Sequence, residues 1–380
     1  MLGESILKNA KIVTPDEVVD GSVRICNQAI VEIQRGSCSL PSAVDVEGDY
    51  LLPGLIDVHT DNLERHILPR QNAEWPVMAA LVAHDAQVAA AGITTVLDSL
   101  CVGTMGSGVR SFEKVRECIA LLETGKGKAM FRSDHLLHLR VEVTHEQTAQ
   151  MFAQVHQQPG LVLVSLMDHT PGQRQWSDVE KFIAMEMHDQ KITEAESRSI
   201  FRVCQENQRK YAEANRRELL SMLAGRSIAL ASHDDTTRAH IEEACTDGIT
   251  ISEFPTTVIA AQAARERGMH IVAGSPNLVL GRSHSGNVAV TELASLGLLD
   301  VLSSDYVPSS LLYGAFVLAQ KEILPLHEAL KTVTLHPAEL VGLDDRGSIA
   351  PAKRADLVRV SMRDETPLVR TVWRSGLRVA

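Results

Sequence analysis

Eight strand-like segments alternate with helical segments through the middle of this chain, and this alternation constrains its fold more than any other feature. The strands are predicted near residues 55–60, 94–98, 135–142, 161–168, 228–232, 249–254, 270–275 and 300–304. Strands separated by helices usually form a parallel sheet, because each helix returns the chain to the starting edge. Eight such units predict a (β/α)8 barrel rather than a doubly wound sheet, since no Gly-x-Gly-x-x-Gly motif follows an early strand.

Helical segments of different character lie between these strands. Residues 77–91 and 111–123 have clear helical patterns, and a glycine follows closely after each. Residues 176–224 form a longer insertion, rich in Glu, Gln, Lys and Arg, which we predict to be a helical hairpin. Such an insertion either projects over the barrel mouth or is an ordinary solvated surface, and its composition favours the solvated surface.

Short strands separated by turns are predicted at both ends of the chain. They cover residues 5–13, 21–26 and 29–34 at the start, and 355–360 and 371–374 at the end. The turn Thr14-Pro15-Asp16 separates the first two. A small side domain that combines the two ends is one arrangement that these strands allow.

The composition is that of a globular protein, with 44% hydrophobic and 22% charged residues among 380. A net charge of -11 disfavours a nucleic-acid surface, whereas a polyanionic small substrate remains possible where metals and local arginines set the potential. No apolar run is long enough to cross a bilayer, and no signal peptide is expected. Six cysteines without a Cys-x-x-Cys pair predict reduced thiols in a cytoplasmic protein. The oligomeric state is left open, a homo-oligomer included.

Side chains that can bind metals recur at the ends of the predicted strands. His59 and Asp61 are two residues apart at the end of the first strand, so both point to one face. The later strand ends add Glu142, His169, His233 and Asp305. These ends meet at the barrel mouth, where barrel active sites lie. Three histidines and three carboxylates exceed the needs of one tetrahedral ion, so we predict two divalent metals bridged by Glu142 and a hydroxide.

Each of these residues also has an ordinary alternative. His169 could be a loop histidine, Glu142 could pair with Arg140 or Arg132, and Asp305 could cap a helix. The recurrence of the whole set at strand ends favours the metal site. Asp305 is then the candidate catalytic residue, because a carboxylate beside a metal-bound water can take its proton and return it to the leaving group.

The segment Pro53-Gly54-Leu55-Ile56-Asp57-x-His59, the later histidines, Asp305 and the tail 347–358 resemble the amidohydrolase superfamily of metal-dependent hydrolases. The resemblance implies a distorted (β/α)8 TIM barrel with a small composite β-sandwich from both termini. The implied domains are residues 1–50 plus 345–380 for the sandwich and 51–344 for the barrel. The implied cofactor is Zn²⁺, with two ions per chain.

The chain departs from the usual superfamily pattern at several positions. Asp61 stands where a second histidine is usual, and Glu142 stands where many binuclear members have a carboxylated lysine. Ala352 stands where a glycine is usual. The predicted strand count also places His169 and His233 one strand earlier than in the usual pattern.

Three longer blocks are similar to one subgroup, the diphosphatases of phosphonate catabolism that act on α-D-ribose 1-methylphosphonate 5-triphosphate. The blocks are residues 59–66, 167–173, and 274–277 followed by 281–287. The resemblance implies hydrolysis of this sugar phosphonate to its 5-phosphate and diphosphate. The candidate substrate-binding residues are Arg65, His66, Arg282, His284 and Asn287.

The last block can also be judged on its own chemistry. Residues 281–287 place a guanidinium, hydroxyls and an amide between glycines, which suits phosphate oxygens but also an ordinary polar turn. Because one fold serves many reactions, a cyclic amide hydrolase or deaminase remains an alternative. A non-catalytic relative that acts as an assembly scaffold is a third hypothesis, which the retained ligands disfavour.

Overall fold

The computed structural model describes residues 3–70, 72–103, 110–283 and 286–380. The strands are β1 (Ser5–Val13), β2 (Val18–Cys26), β3 (Ala29–Arg35), β4 (Val44–Asp45), β5 (Tyr50–Pro53), β6 (Leu55–Thr60), β7 (Ile93–Val102), β8 (Asp134–Glu142), β9 (Leu161–Met167), β10 (Ala229–His233), β11 (Ile251–Glu253), β12 (His270–Gly274), β13 (Val301–Ser303), β14 (Leu357–Arg363), β15 (Thr366–Arg374) and β16 (Leu377–Arg378). The helices are α1 (Asn62–Ile67), α2 (Val77–Ala90), α3 (Phe112–Gly127), α4 (Thr148–Val155), α5 (Val179–Gln190), α6 (Glu194–Leu223), α7 (Arg238–Thr246), α8 (Val258–Glu266), α9 (Ser275–Leu280), α10 (Val290–Ser295), α11 (Ser310–Gln320), α12 (Leu326–Lys331) and α13 (Leu335–Leu340).

Strands β6 to β13 form one parallel sheet in chain order, which confirms the predicted (β/α)8 barrel. Every residue of β6 and β7 is buried, as expected for strands that are covered on both faces. Seven aliphatic side chains from seven of the strands fill the barrel centre, namely Val58, Leu97, Leu163, Ala231, Ile251, Val272 and Val301. The strand count of the sequence analysis is therefore correct, because His169 follows the fourth barrel strand and His233 ends the fifth.

The barrel closes between β13 and β6 in two different ways along the seam. At the mouth, the Asp305 amide donates to the His59 carbonyl at 3.0 Å, and the Asp61 amide donates to the Asp305 carbonyl at 2.7 Å. At the opposite end, residues 332–333 enter between the strands and accept from the amides of Ile56 and Leu302, at 2.9 Å each. This inserted segment makes the barrel uneven and leaves Asp305 as the closing residue at the mouth.

A second, mixed sheet combines both ends of the chain in the order β16-β15-β14-β5-β1-β2-β3, with β4 paired to β1. The junction between the two ends is the antiparallel pair β5 and β14. Apolar residues from both ends share one core, including Ile12, Ile25 and Leu357. The predicted domain boundaries stay a prediction. Strand β5 extends across the predicted boundary between residues 50 and 51.

The charged insertion forms the predicted helical hairpin, α5 and α6. Thr193 caps α6 through a reciprocal pair of bonds with Glu196. Much of α6 is exposed, but its Asn215 amide donates to the carbonyls of Val143 and His145 at 2.8 Å each. The insertion is therefore solvated on one face and fastened to strand ends of the barrel on the other.

None of the helices in the described residues is long and apolar enough to cross a membrane. All six cysteines are free.

Asp134 at the start of β8 fastens the C-terminal part of the chain to the barrel. Its carboxylate accepts from Arg346, Arg354 and Arg374, at 2.7, 2.6 and 2.8 Å. Burial opposes its ionisation, but the guanidinium groups hold the pKa of Asp134 below its usual value.

We predict that Asp134→Asn lowers the free energy of unfolding by about 1.5–3 kcal/mol, the usual worth of hydrogen bonds to charged groups. The substitution keeps the shape but removes the anion that three guanidinium groups share. Urea unfolding measures the change. The control is Asp364→Asn in the exposed turn between β14 and β15, and equal midpoints for the two variants would contradict the role of Asp134.

Candidate metal centre at the barrel mouth

Six side chains that can bind metals converge at the mouth in two groups. The ligand atoms within each group lie within 4.8 Å of one another. The first group is His59, Asp61 and Asp305, and the second is His169, His233 and Asp234. The structure thus brings together five of the six predicted ligands and adds Asp234. The grouping follows from the fold, because the closed seam joins β6 to β13 while β9 and β10 are neighbours.

A carboxylate holds one ring nitrogen of each histidine in these groups. Glu253 contacts the Nδ1 atoms of His59 and His233, at 2.8 and 2.7 Å. Glu142 contacts Nδ1 of His169 at 2.9 Å. An ionised carboxylate only accepts, so each Nδ1 carries a proton, and in the neutral ring the lone pair is then at Nε2. This arrangement is the one that metal-binding histidines usually have.

Asp234 supplies the clearest sign that the second group fits a cation. Its Oδ2 is buried and has no hydrogen-bond partner among the described residues. The same oxygen lies 3.5 Å from Nε2 of His233 and 3.7 Å from Nε2 of His169. Zinc ligands at about 2.0–2.2 Å in a tetrahedral arrangement lie about 3.3–3.6 Å apart. The donor set and its spacing therefore fit a divalent metal.

The first group includes a carboxylate that already has a cationic partner. Arg140, on β8, donates from Nη1 to Oδ1 of Asp61. Burial opposes ionisation of Asp61, but the charge of Arg140 lowers its pKa below the usual value. The Nε2 atom of His59 lies 3.8 Å from the same Asp61 oxygen. The guanidinium of Arg140 therefore reaches the edge of this group.

Glu142 lies outside both groups of converging ligand atoms. One of its oxygens accepts from the Thr144 hydroxyl at 2.7 Å, and the other faces His169. Among the described residues, no hydrogen bond or ion pair joins Glu142 to the alternative partners, since Arg140 bonds Asp61 and Arg132 bonds Asp85. The structure places Glu142 behind a histidine, and its bridging of two metals stays a prediction.

A third cluster of this kind is buried between α2 and strands β7 and β8, where His84 and His135 face the two oxygens of Asp98 at 2.9 and 2.8 Å. The Asn62 amide lies 2.9 Å from Nδ1 of His84, which leaves the ring proton on Nε2. Burial opposes the charge on His135, but Asp98 and Asp85 raise its pKa to about 9, so both of its nitrogens donate. No ring nitrogen here offers a lone pair, which favours a structural role.

The two ligand groups lie on the wall of a cavity of about 530 Å³. The other residues that line it include three arginines, four polar side chains and three aromatic ones, namely Arg110, Arg140, Arg282, Gln175, Asn277, Ser283, Asn287, Trp176, Phe254 and Tyr306. The wall therefore carries three guanidinium groups beside the three aspartates of the ligand groups. Cations held by these aspartates would offset their charge and leave a wall that favours an anionic ligand.

The predicted substrate-binding residues lie in different places relative to this cavity. Arg282 and Asn287 line it. His284 lies outside the described residues. Arg65 does not line the cavity, but its guanidinium lies 5.1 Å from the ring centre of Tyr306, which does.

His66 has other contacts, and so do Arg174 and Lys181, two basic residues in the segment that follows β9. Nε2 of His66 lies 2.8 Å from the side-chain oxygen of Gln87, away from the cavity lining. Arg174 is buried and donates to the Asp235 carboxylate at 2.7 Å, so it supports the loop after β10. Lys181 is exposed and lies 3.8 Å from Asp178.

Sequence reasoning missed Glu253 and Asp234, and it gave Arg140 only a minor role. Both carboxylates carried the same signal as the predicted ligands, since Glu253 ends a predicted strand and Asp234 directly follows His233. The pairing of Arg140 with Asp61 had no signal in the sequence, because it depends on β6 and β8 approaching across the mouth.

Comparison with known proteins relates the chain to the amidohydrolases. An amidohydrolase family model matches residues 265–380. The chain is 43% identical over 376 residues to the alpha-D-ribose 1-methylphosphonate 5-triphosphate diphosphatase of Escherichia coli (strain K12), and the match covers 98% of this chain and 100% of that protein.

Solved structures with lower sequence identity share the fold. The 5-methylcytosine deaminase from Klebsiella pneumoniae, liganded with 5-fluorocytosine, has a TM-score of 0.67 at 12% identity, covering 99% of this chain and 97% of that one. The N-acetylglucosamine-6-phosphate deacetylase from Pasteurella multocida has a TM-score of 0.63 at 12% identity, covering 99% and 98%. With its full-length relative and its barrel architecture, the chain belongs to the amidohydrolase family.

Proposed function

We propose that this protein is a metal-dependent hydrolase that cleaves α-D-ribose 1-methylphosphonate 5-triphosphate to the 5-phosphate and diphosphate in phosphonate catabolism. The observation that carries the proposal is that three arginines line the same cavity as the two groups of histidine and aspartate side chains that can bind metals. A triphosphate needs both features, because its charge must be neutralised before water can attack. The name of the full-length relative supports the same reaction.

Two divalent ions, one for each ligand group, are part of this proposal. Imidazole nitrogens with carboxylate oxygens suit Zn²⁺. His59, Asp61 and Asp305 would hold one ion, and His169, His233 and Asp234 would hold the other. Such ions, when bound, lower the pKa of a water ligand and polarise a phosphoryl oxygen.

Asp305 is the residue that we assign to proton transfer. It lies on the cavity wall, and its backbone is held by bonds to the His59 carbonyl and the Asp61 amide. A carboxylate fixed in this way can take the proton of the attacking water as the new oxygen–phosphorus bond forms. It can then return the proton as the bond to the leaving diphosphate breaks.

The arginines bind and orient the phosphate groups in this proposal. Arg282 lies on the cavity wall with an exposed side chain, so it can reach a ligand that enters from solvent, whereas Arg110 on the same wall is bonded to the Glu64 carboxylate. Arg140 is buried beside Asp61 and places a fixed positive charge near the first ligand group. Guanidinium groups bind phosphate oxygens strongly, because two parallel N–H groups can donate to one phosphate.

We also propose a cytoplasmic location. The six cysteines are free, and unpaired thiols are typical of reducing compartments.

The test is release of diphosphate from this triphosphate, with metal content measured on the same sample. We expect release that stops after chelation and returns when Zn²⁺ is added, and a much slower reaction with ATP. Bound metal without diphosphate release would overturn the proposal. Ammonia release or ring opening of a cyclic amide would then point to the alternative chemistry.

We predict that Asp305→Asn lowers kcat by about 10²–10⁴-fold, the usual contribution of a general base. Metal content should largely be kept, since His59 and Asp61 remain. The fold should also be kept, because Asp305 has a φ of 54°, which asparagine tolerates, and its closing bonds use the backbone.

Steady-state kinetics with metal analysis checks this prediction, and Asp364→Asn on the surface is the control for purification and metal loading. Activity of Asp305→Asn close to that of the control would remove Asp305 as the base.

Arg282→Ala should raise KM for the triphosphate about tenfold, since one charge-assisted hydrogen bond is worth about 1.5 kcal/mol or more. Arg282 is exposed, so the free energy of unfolding should change by less than about 0.5 kcal/mol. The matched control is Arg116→Ala, an exposed arginine on α3 outside the cavity lining. Equal KM values for the two variants would show that Arg282 does not bind the substrate.

A further inference from the structure

Glu253 is a buried carboxylate that the reaction itself does not use. It ends β11, and only 1% of its surface is exposed. Its oxygens lie among three histidine rings, those of His59, His138 and His233. An ionised and fully enclosed carboxylate is costly unless its oxygens are bonded, which directs attention to its partners.

The two oxygens of Glu253 serve the two ligand groups separately. Oε1 accepts from Nδ1 of His59 at 2.8 Å, and His59 belongs to the first group. Oε2 accepts from Nδ1 of His233 at 2.7 Å, and His233 belongs to the second group. The Ser165 hydroxyl also donates to Oε2, at 2.8 Å, and fixes the plane of the carboxylate.

The backbone of Glu253 adds a further contact to the second group. Its carbonyl accepts from the amide of Asp234 at 2.9 Å, and this bond holds Asp234 beside His233. The rings of His59 and His233 are stacked, with centroids 5.9 Å apart and an interplanar angle of 17°. One residue therefore sets the orientation of two parallel rings that belong to different groups.

Glu142 shows the contrasting arrangement. It contacts Nδ1 of His169 and no histidine of the first group among the described residues. The site thus has one carboxylate that is shared by both groups and another that serves the second group alone.

We propose that Glu253 is a shared positioning residue that presents Nε2 of His59 and Nε2 of His233 to two separate metal subsites. The inference rests on the proposed two-ion function. It predicts that a change at Glu253 weakens both metal subsites, whereas a change at Glu142 weakens one.

The chemistry of the substitutions makes this distinction sharp. Glu253→Ala leaves both Nδ1 atoms without an acceptor, so neither ring is held in the tautomer that binds metal. Glu253→Gln keeps the volume but offers one oxygen and one amide nitrogen. The ring that faces the amide nitrogen must accept at Nδ1, so its proton moves to Nε2 and its metal lone pair is lost. Glu142→Ala removes the acceptor of His169 only.

The experiment is calorimetric titration of Zn²⁺ into chelator-stripped wild-type protein and the three variants, with thermal unfolding of each stripped sample. We expect two tight equivalents in the wild type. In Glu253→Ala the affinity for both Zn²⁺ ions should fall about 10–100-fold, the usual cost of losing such a carboxylate partner. In Glu142→Ala the affinity for one Zn²⁺ ion should fall while the affinity for the other is kept. Glu253→Gln should keep one tightly bound equivalent of Zn²⁺. It is the decisive variant if Glu253→Ala does not fold.

Several results would overturn the inference. These are a single equivalent in the wild type, unchanged affinities in a folded Glu253 variant, or loss of only one equivalent in Glu253→Ala. Because the readout is metal binding, failure of the proposed reaction is seen separately. The wild type could bind two ions tightly, and Glu253→Ala could bind both more weakly, while the wild type releases no diphosphate. This combination would support the shared role of Glu253 and reject the proposed substrate.

Discussion

The closure of the barrel at its mouth is the constraint on which the rest of the site depends. Two backbone hydrogen bonds through Asp305, to the His59 carbonyl and from the Asp61 amide, join the last barrel strand to the first. Without this closure, residues at the two ends of the sheet would lie on opposite edges. With it, three ligand side chains from distant parts of the sequence form one group. The inserted residues 332–333 take the place of direct pairing farther down the seam.

Opposite charges at the mouth hold each other in place. Asp61 lies against Arg140, while Glu253 and Glu142 each hold at least one histidine. A carboxylate that is buried with a cation or a ring N–H is much less costly than one buried alone. Asp234 is different, because its buried Oδ2 has no hydrogen-bond partner among the described residues. The arrangement therefore distinguishes carboxylates that already have a close partner from one whose oxygen is still available to a cation.

The sequence predicted the barrel well because the signals are local. Each strand is a short apolar run, and the convergence of strand ends follows from parallel topology. Contacts across the mouth could not be read in the same way. The assignment of Glu142 as a ligand used its position at a strand end, which does not distinguish a ligand from the partner of a ligand. Glu253 has the same position, and only its contacts with His59 and His233 reveal that it faces two rings.

Backbone conformation helps to explain which carboxylates can reach the cavity. Asp234 and Asp305 each come shortly after a strand, and both have positive φ, at 56° and 54°. Aspartate tolerates the left-handed region better than most residues, because its short side chain can bond locally. The turn changes the direction of the chain just beyond the strand. Glu253 is the last residue of its own strand and remains in the barrel wall, below the cavity. Depth along the strand, together with the left-handed turn, thus distinguishes Asp234 and Asp305, which line the cavity, from Glu253, which faces the histidines from the barrel wall.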